Sequence, residues 1–182
     1  MSKVDLAKYD NSWYDHGSLI RRLLWLIIGR LFINTYFPIP AKFKVNVLRL
    51  FGAKLGSNIM IKPKVNIKYP WLLEIGDNTW IGEQVWIDNL DYVKIGANVC
   101  LSQGVMLLTG NHDYKSSTFD LMVGNITLGD GVWIGAKSLV APGAICQENA
   151  VLGAASLLSK NVPANEIWSG NPAIFIRKRI IK

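Results

Sequence analysis

The chain is 182 residues long and half hydrophobic, with 20 Lys and Arg against 13 Asp and Glu and a net charge of +7. That length suits one domain with its own core rather than several. So basic a chain raises nucleic acid as a partner, but no recognised binding motif supports it and none is expected.

Residues 1–11 mix charge and polarity, and no clean apolar core follows within signal-peptide reach, so no secretory signal is read and a cytoplasmic protein is expected. Residues 18–37 read SLIRRLLWLIIGRLFINTYF. Arg21, Arg22, Arg30 and Asn34 interrupt the run, which is too polar for a membrane span. The pattern predicts one amphipathic helix from Ser18, ended by the Pro38-Ile39-Pro40 break, then a short second helix over Lys42–Phe51.

From Leu55 to Leu158 the organisation changes. Leu55, Ile61 and Ile67 are spaced by six, as are Ile75, Ile81 and Ile87, then Ile95, Leu101 and Leu107. After a gap come Leu128, Ile134 and Val140, then Cys146, Leu152 and Leu158. A tiny residue usually follows each anchor, and a small or β-branched one stands two places before it. An inward aliphatic every sixth residue fits neither a helix nor an alternating strand. It fits short strands joined by corners, three faces to a coil: a parallel β-helix of about five triangular coils. First anchors at 55, 75, 95, 128 and 146 carry excesses of 2, 2, 15 and 0 residues over an eighteen-residue coil, all at the corner that follows the third face. Cys100 then points outward and Cys146 inward, two rungs of about 4.8 Å apart. That exceeds the roughly 7 Å Cα limit for a disulfide, and two free thiols suit a reducing compartment.

The helices before the repeat have two readings. They cap the open end of the solenoid, whose first rung otherwise exposes a sheet edge. Alternatively, Trp25, Phe32 and the arginines suit peripheral attachment to an anionic membrane surface. The positive charge gathers at the chain's two ends, with Arg21, Arg22, Arg30, Lys42, Lys44 and Arg49 before the repeat and Arg177, Lys178, Arg179 and Lys182 after it.

Insertions in stacked repeats map to loops, often on the binding face, which directs attention to the insertion at 109–125. It holds His112, one of two histidines, between Asn111 and Asp113. A histidine leaving a rigid scaffold on a long loop is a candidate general base. A zinc site would need about three imidazoles, and His16 lies far off in the N-terminal segment, so no metal is expected. Neither cysteine neighbours a histidine, and no phosphate-cradling loop occurs. What remains is direct transfer, a base activating an acceptor hydroxyl while the coil holds the donor. Asp88 and Asn89, one coil earlier at the same corner, either grip the acceptor or form the turn.

The hexads, the loop Thr109-Gly110-Asn111-His112-Asp113, the run Gly131–Ala136 and the tail Ser169–Ala173 resemble the left-handed β-helix acyltransferases. The Arg-rich apolar N-terminal segment and residues 111–121, NHDYKSSTFDL, are more closely similar to the colanic acid biosynthesis type. The resemblance covers almost the whole chain. It implies the left-handed coil, which counting does not give and which runs against the usual right-handed crossover. It also implies a homotrimer that binds acetyl-CoA between neighbouring subunits and acetylates a hydroxyl. His112 then takes the hydroxyl proton, Asp113 or a backbone carbonyl orients the imidazole, and Asn111 joins Asp88 and Asn89 on the acceptor side. Ala136 and Ala154 fall at the pantetheine arm, and Ser159, Lys160, Asn171, Pro172 and Arg177 at the nucleotide end. Lys160 and Arg177 are candidates for the 3′-phosphate. Trp133, outward beside Gly135, walls the donor groove or packs between subunits. Gly82 stands where some relatives carry a polar acceptor contact.

The resulting division is a cap at 1–54, a β-helix at 55–160 and a tail at 161–182 that completes the donor site. The expected function is acetyl-CoA-dependent O-acetylation of a small or lipid-linked sugar in exopolysaccharide synthesis, at the inner face of a membrane if 18–37 touches one. An amine or antibiotic acceptor, or a catalytically silent scaffold, are the alternatives.

Overall fold

The computed structural model describes residues 3–182. Three parallel sheets form the faces of a triangular coil, and the anchors stack in the register expected from the sequence. Leu55, Ile75, Ile95, Leu128 and Cys146 lie one above another on the first face. On the second stand Ile61, Ile81, Leu101, Ile134 and Leu152, and on the third Ile67, Ile87, Leu107, Val140 and Leu158. With the residues two places before them, such as Val65, Val85 and Val105, they are almost wholly buried, Leu55 excepted at the open end. Each buried aliphatic contributes about 1.5–3 kcal/mol.

Five coils are complete and a sixth begins. Val162 bridges Cys146, and Glu166–Gly170 adds a rung to the second face. Ala173–Lys178 then folds back antiparallel and ends that sheet. Residues 161–170 therefore continue the coil.

One backbone device turns the corners. Three residues after each first-face anchor the chain enters the left-handed region, at Asn58, Asn78, Asn98, Gly131 and Asn149, with φ from +54° to +69°. Asparagine tolerates that conformation better than most residues, because its short amide bonds locally. Here the amides also bond between rungs, Asn58 to Asn78 at 3.1 Å and Asn149 to Asn165 at 3.2 Å.

The helices cover the open end. Helix α1 (Leu19–Phe32) starts at Ser18, whose hydroxyl accepts from Arg21 N. It stops at Phe32, five residues short of where the prolines were expected to end it. Ile33 turns into the core at 1% exposure, and Asn34 N donates to Gly29 O at 2.8 Å. Burial of one isoleucine ends the helix before Pro38 is reached. Helix α2 (Ala41–Leu50) packs on the first coil. Trp25 Nε1 donates to Ile67 O, buried Lys44 donates through Nζ to Ile61 O and Lys62 O, and Arg49 donates to Leu55 O and Gly56 O. First-coil carbonyls that would otherwise face solvent at a sheet edge are thus satisfied by three long side chains. Burial pulls the Lys44 ammonium below the usual lysine range. Among the described residues no helix is long and apolar enough to cross a membrane.

Candidate functional site

The corner between the third and first faces carries every excess residue. Its first step holds a short turn, Pro70–Leu72, where Tyr69 stacks on Trp71 and Arg21 lies 4.3 Å over the Trp71 ring. At the second step Asn89 is fully buried. Its amide donates to Tyr69 O at 2.6 Å and its carbonyl accepts from Tyr69 N at 3.0 Å. With both ends of the amide spent joining two coils, Asn89 leaves the acceptor side; its role is the turn. Asp88 keeps its carboxylate beside Lys68 at 2.9 Å, and its carbonyl accepts from Thr109 Oγ1 at 3.0 Å.

At the third step the insertion forms an antiparallel hairpin, Gly110–His112 against Leu121–Val123, with His112 opposite Leu121. A Cβ on Gly110 would lie 2.4 Å from Leu90 Cδ1, so the hairpin root crosses close over the preceding turn and a larger residue there would push the Leu90 side chain aside. His112 is half-buried, with Nδ1 2.9 Å from Phe119 O. A carbonyl can only accept, so in the neutral imidazole Nδ1 carries the proton and Nε2 keeps its lone pair. The Phe119 ring stacks on the imidazole at 4.4 Å and 7° between planes. Phe119 does both from φ +52°, a conformation rare for so bulky a residue. Strain of this kind gathers where a side chain must be held in place.

The two partners considered for the imidazole are thereby distinguished. The Asp113 carboxylate accepts from Lys115 N at 2.9 Å and closes the hairpin turn, while Phe119 O holds the ring. Asn111 is exposed, and its side chain accepts from His112 N at 2.8 Å. Sequence reasoning missed the N-terminal residues here. Asp5 N donates to Ser117 O, Tyr9 lies 5.7 Å from the His112 ring, and the Tyr14 hydroxyl donates to Leu90 O. Burial pushes that hydroxyl well above the usual tyrosine range. Residues 5–14 thus follow this corner; their irregular pattern carries no periodic signal that shows it.

The expected donor residues lie elsewhere on the coil. Ala136 and Ala154 sit at the corner between the second and third faces. They form a ledge of small residues, Ala136 half-buried and Ala154 exposed, with Gly135 buried where the two coils meet. Trp133 is exposed on the second face and donates through Nε1 to Ser102 Oγ at 2.9 Å. Asn171 and Pro172 are exposed in the turn before Ala173–Lys178. Ser159 and Lys160 are exposed on the same edge as the hairpin, two coils beyond it. Arg177 faces solvent beside Ile167, so it and Lys160 stand at opposite ends of the last rung of the first face. One chain does not bring them together. Nor does it bring the ledge to His112, since the third face lies between them. Gly82 is required by packing: a Cβ there would lie 2.7 Å from Leu101 O on the next coil. Among the described residues no three His, Cys, Asp or Glu side chains gather as metal ligands.

No protein-family profile matches the chain. It is 37% identical over 164 residues to a protein of Escherichia coli provisionally named as the colanic acid biosynthesis acetyltransferase WcaF, covering 90% of both. It is 29% identical over 148 residues to the galactoside O-acetyltransferase of the same species, covering 80% of this chain and 73% of that one. A solved galactoside acetyltransferase in complex with coenzyme A superposes with a TM-score of 0.78 at 26% identity, over 87% of this chain and 80% of that one.

Proposed function

This chain belongs to the hexapeptide-repeat acetyltransferases, and from that premise we propose that it moves the acetyl group of acetyl-CoA to a sugar hydroxyl in exopolysaccharide synthesis, with His112 as general base. The observation that carries the reading is His112 itself, its Nδ1–H fixed on Phe119 O and its Nε2 free to accept a proton. In the reaction the acceptor oxygen attacks the thioester carbonyl carbon as Nε2 takes its proton. The tetrahedral oxyanion collapses with cleavage of the carbon–sulfur bond, and the imidazolium returns the proton to the departing CoA thiolate. The names of the two Escherichia coli relatives, one a colanic acid enzyme and one a galactoside enzyme, support a sugar acceptor over an amine.

A trimer completes the site in this reading. The outward residues of the second face include exposed Met60, Trp80 and Trp133, and the third carries Trp86, whereas the first presents Lys54, Glu74, Lys94 and Thr127, with Ile145 its one exposed apolar residue. Two apolar faces and one polar face suit self-association through the apolar pair. Because the ledge at Ala136 and Ala154 and the hairpin bearing His112 occupy opposite edges of the third face, a neighbouring copy supplies what each lacks. Residues 161–182 then close the donor groove, and 18–37 meet a membrane face. The test is incubation with acetyl-CoA and a panel of nucleotide-linked, lipid-linked and free sugars, read by mass spectrometry, beside light scattering. A base-labile O-acetyl sugar made by a trimer is expected. Acetylation of amines alone, or full activity from a stable monomer, refutes the reading.

A further inference from the structure

Between Asp15 and Glu74 the chain carries ten Lys or Arg residues and no Asp or Glu, so the rest of the molecule sums to −3 of its net +7. This acid-free block is the helical end of the fold with the first coil. Here α1 turns Trp25 and Gly29 toward the coil, while Ile20, Leu23, Leu24, Ile27 and Leu31 are each more than half exposed. Phe37, just beyond the helix, continues the patch. Only Arg30 interrupts it, and the same end of the molecule carries exposed Lys42 on the cap and exposed Lys62 on the first coil.

We infer that α1 is an in-plane anchor that seats this end of the protein on an anionic phospholipid surface. Its 14 residues span about 21 Å, too short for the roughly 30 Å hydrocarbon core but suited to lying in the interface. A leucine-rich outward face amid cations is the pattern that interface selects. A second copy meeting this patch through its own would press two acid-free ends together, whereas an anionic surface attracts them. A cleft of about 460 Å³ between α1 and the first two coils holds Arg22, Arg30 and Lys68, the last paired with Asp88 at 2.9 Å, so the cleft keeps a net charge of +2 from its two arginines. Arg22 Nε there is buried without a partner, and a lipid phosphate entering the cleft would supply one. The inference deepens the membrane contact named above and rests on neither His112 nor the acetyl donor.

Flotation with vesicles tests it, comparing mixed phosphatidylglycerol and phosphatidylcholine with phosphatidylcholine alone. The wild-type protein should bind the anionic vesicles at least about tenfold better, and salt should weaken the preference. The triple variant Ile20→Ser, Leu24→Ser, Ile27→Ser should lose that binding about tenfold or more while keeping its melting temperature, because these side chains are exposed. Lys42→Gln with Lys62→Gln should reduce the anionic preference and leave the helix intact. Wild-type protein that stays with the aqueous phase, or a triple variant that floats equally well, overturns the inference. So does a triple variant that scatters light as a smaller oligomer, since copies would then cover the face. Acetyl transfer to a soluble sugar should be unchanged in the triple variant. If wild-type protein floats but transfers nothing, the transferase reading fails and the anchor stands.

Discussion

Replacing Phe119 by glycine separates two things this residue does for His112. Its carbonyl, which fixes the tautomer, belongs to the backbone and survives; its ring, stacked at 4.4 Å on the imidazole, does not. The lost stack is worth about 0.5–1.5 kcal/mol, and glycine's freedom costs roughly 0.5–1 kcal/mol more. Relief of the left-handed backbone at φ +52° returns about 1–2 kcal/mol. Removing the half-buried side chain also gives up about 1 kcal/mol of apolar burial, so stability should fall by about 0–3 kcal/mol, or by up to ~10 °C in Tm. Turnover should fall about 2- to 13-fold, if the whole stacking term goes into holding the ring for proton transfer. Phe119→Leu keeps the strained backbone and much of the apolar burial but loses the stack, so its turnover should match the glycine variant's. Saturating kcat and thermal melts of both variants are the assay. Wild-type turnover in both would refute the idea that stacking positions His112.

Gly135→Ala should destabilise by about 1–3 kcal/mol, because its Cβ would lie 2.5 Å from Ala154 N and force two coils apart; urea melts check it, and an unchanged midpoint would contradict the close approach. Burial pushes the Cys146 thiol up to about 12 and raises that of Cys100 as well. Thiol reagents at pH 8 should spare Cys146 until the protein unfolds, and non-reduced mass spectrometry should find no bridge. Lys160→Ala should raise the acetyl-CoA KM with little change in kcat, since a contact remote from the reacting carbonyl binds ground and transition states alike. A fall in kcat with KM unchanged would place Lys160 in another role.

The stacking was legible because one large aliphatic per face repeats at a fixed interval. Leu55 predicts its neighbour Ile75 as surely as Ile95 predicts Leu128 across a fifteen-residue excess. The corner asparagines were visible too, but they carry no meaning until the corners are known, for asparagine is ordinary in any turn. His112 could be singled out from its place on the one long insertion. What held it could not, because Phe119 acts through a backbone carbonyl and an unusual φ, and neither is written in residue type. The same limit applies to Asn89, whose amide faces Tyr69 rather than solvent. Helix α1 ended early because burial of Ile33 overrode a proline signal that was local and correct in kind. Residues 5–14 reach the hairpin by three isolated contacts, at Asp5, Tyr9 and Tyr14, too few and too irregular to leave a pattern.

The most direct test of the account is the turnover of His112→Ala measured beside its affinity for acetyl-CoA, under conditions where chemistry limits the rate. The donor ledge and tail lie apart from the hairpin, so acetyl-CoA should bind the variant within a few-fold of wild type while turnover falls by ~10² to 10⁴, the usual contribution of a positioned acid–base group. Turnover within about threefold of wild type would contradict the assignment of His112 as the base.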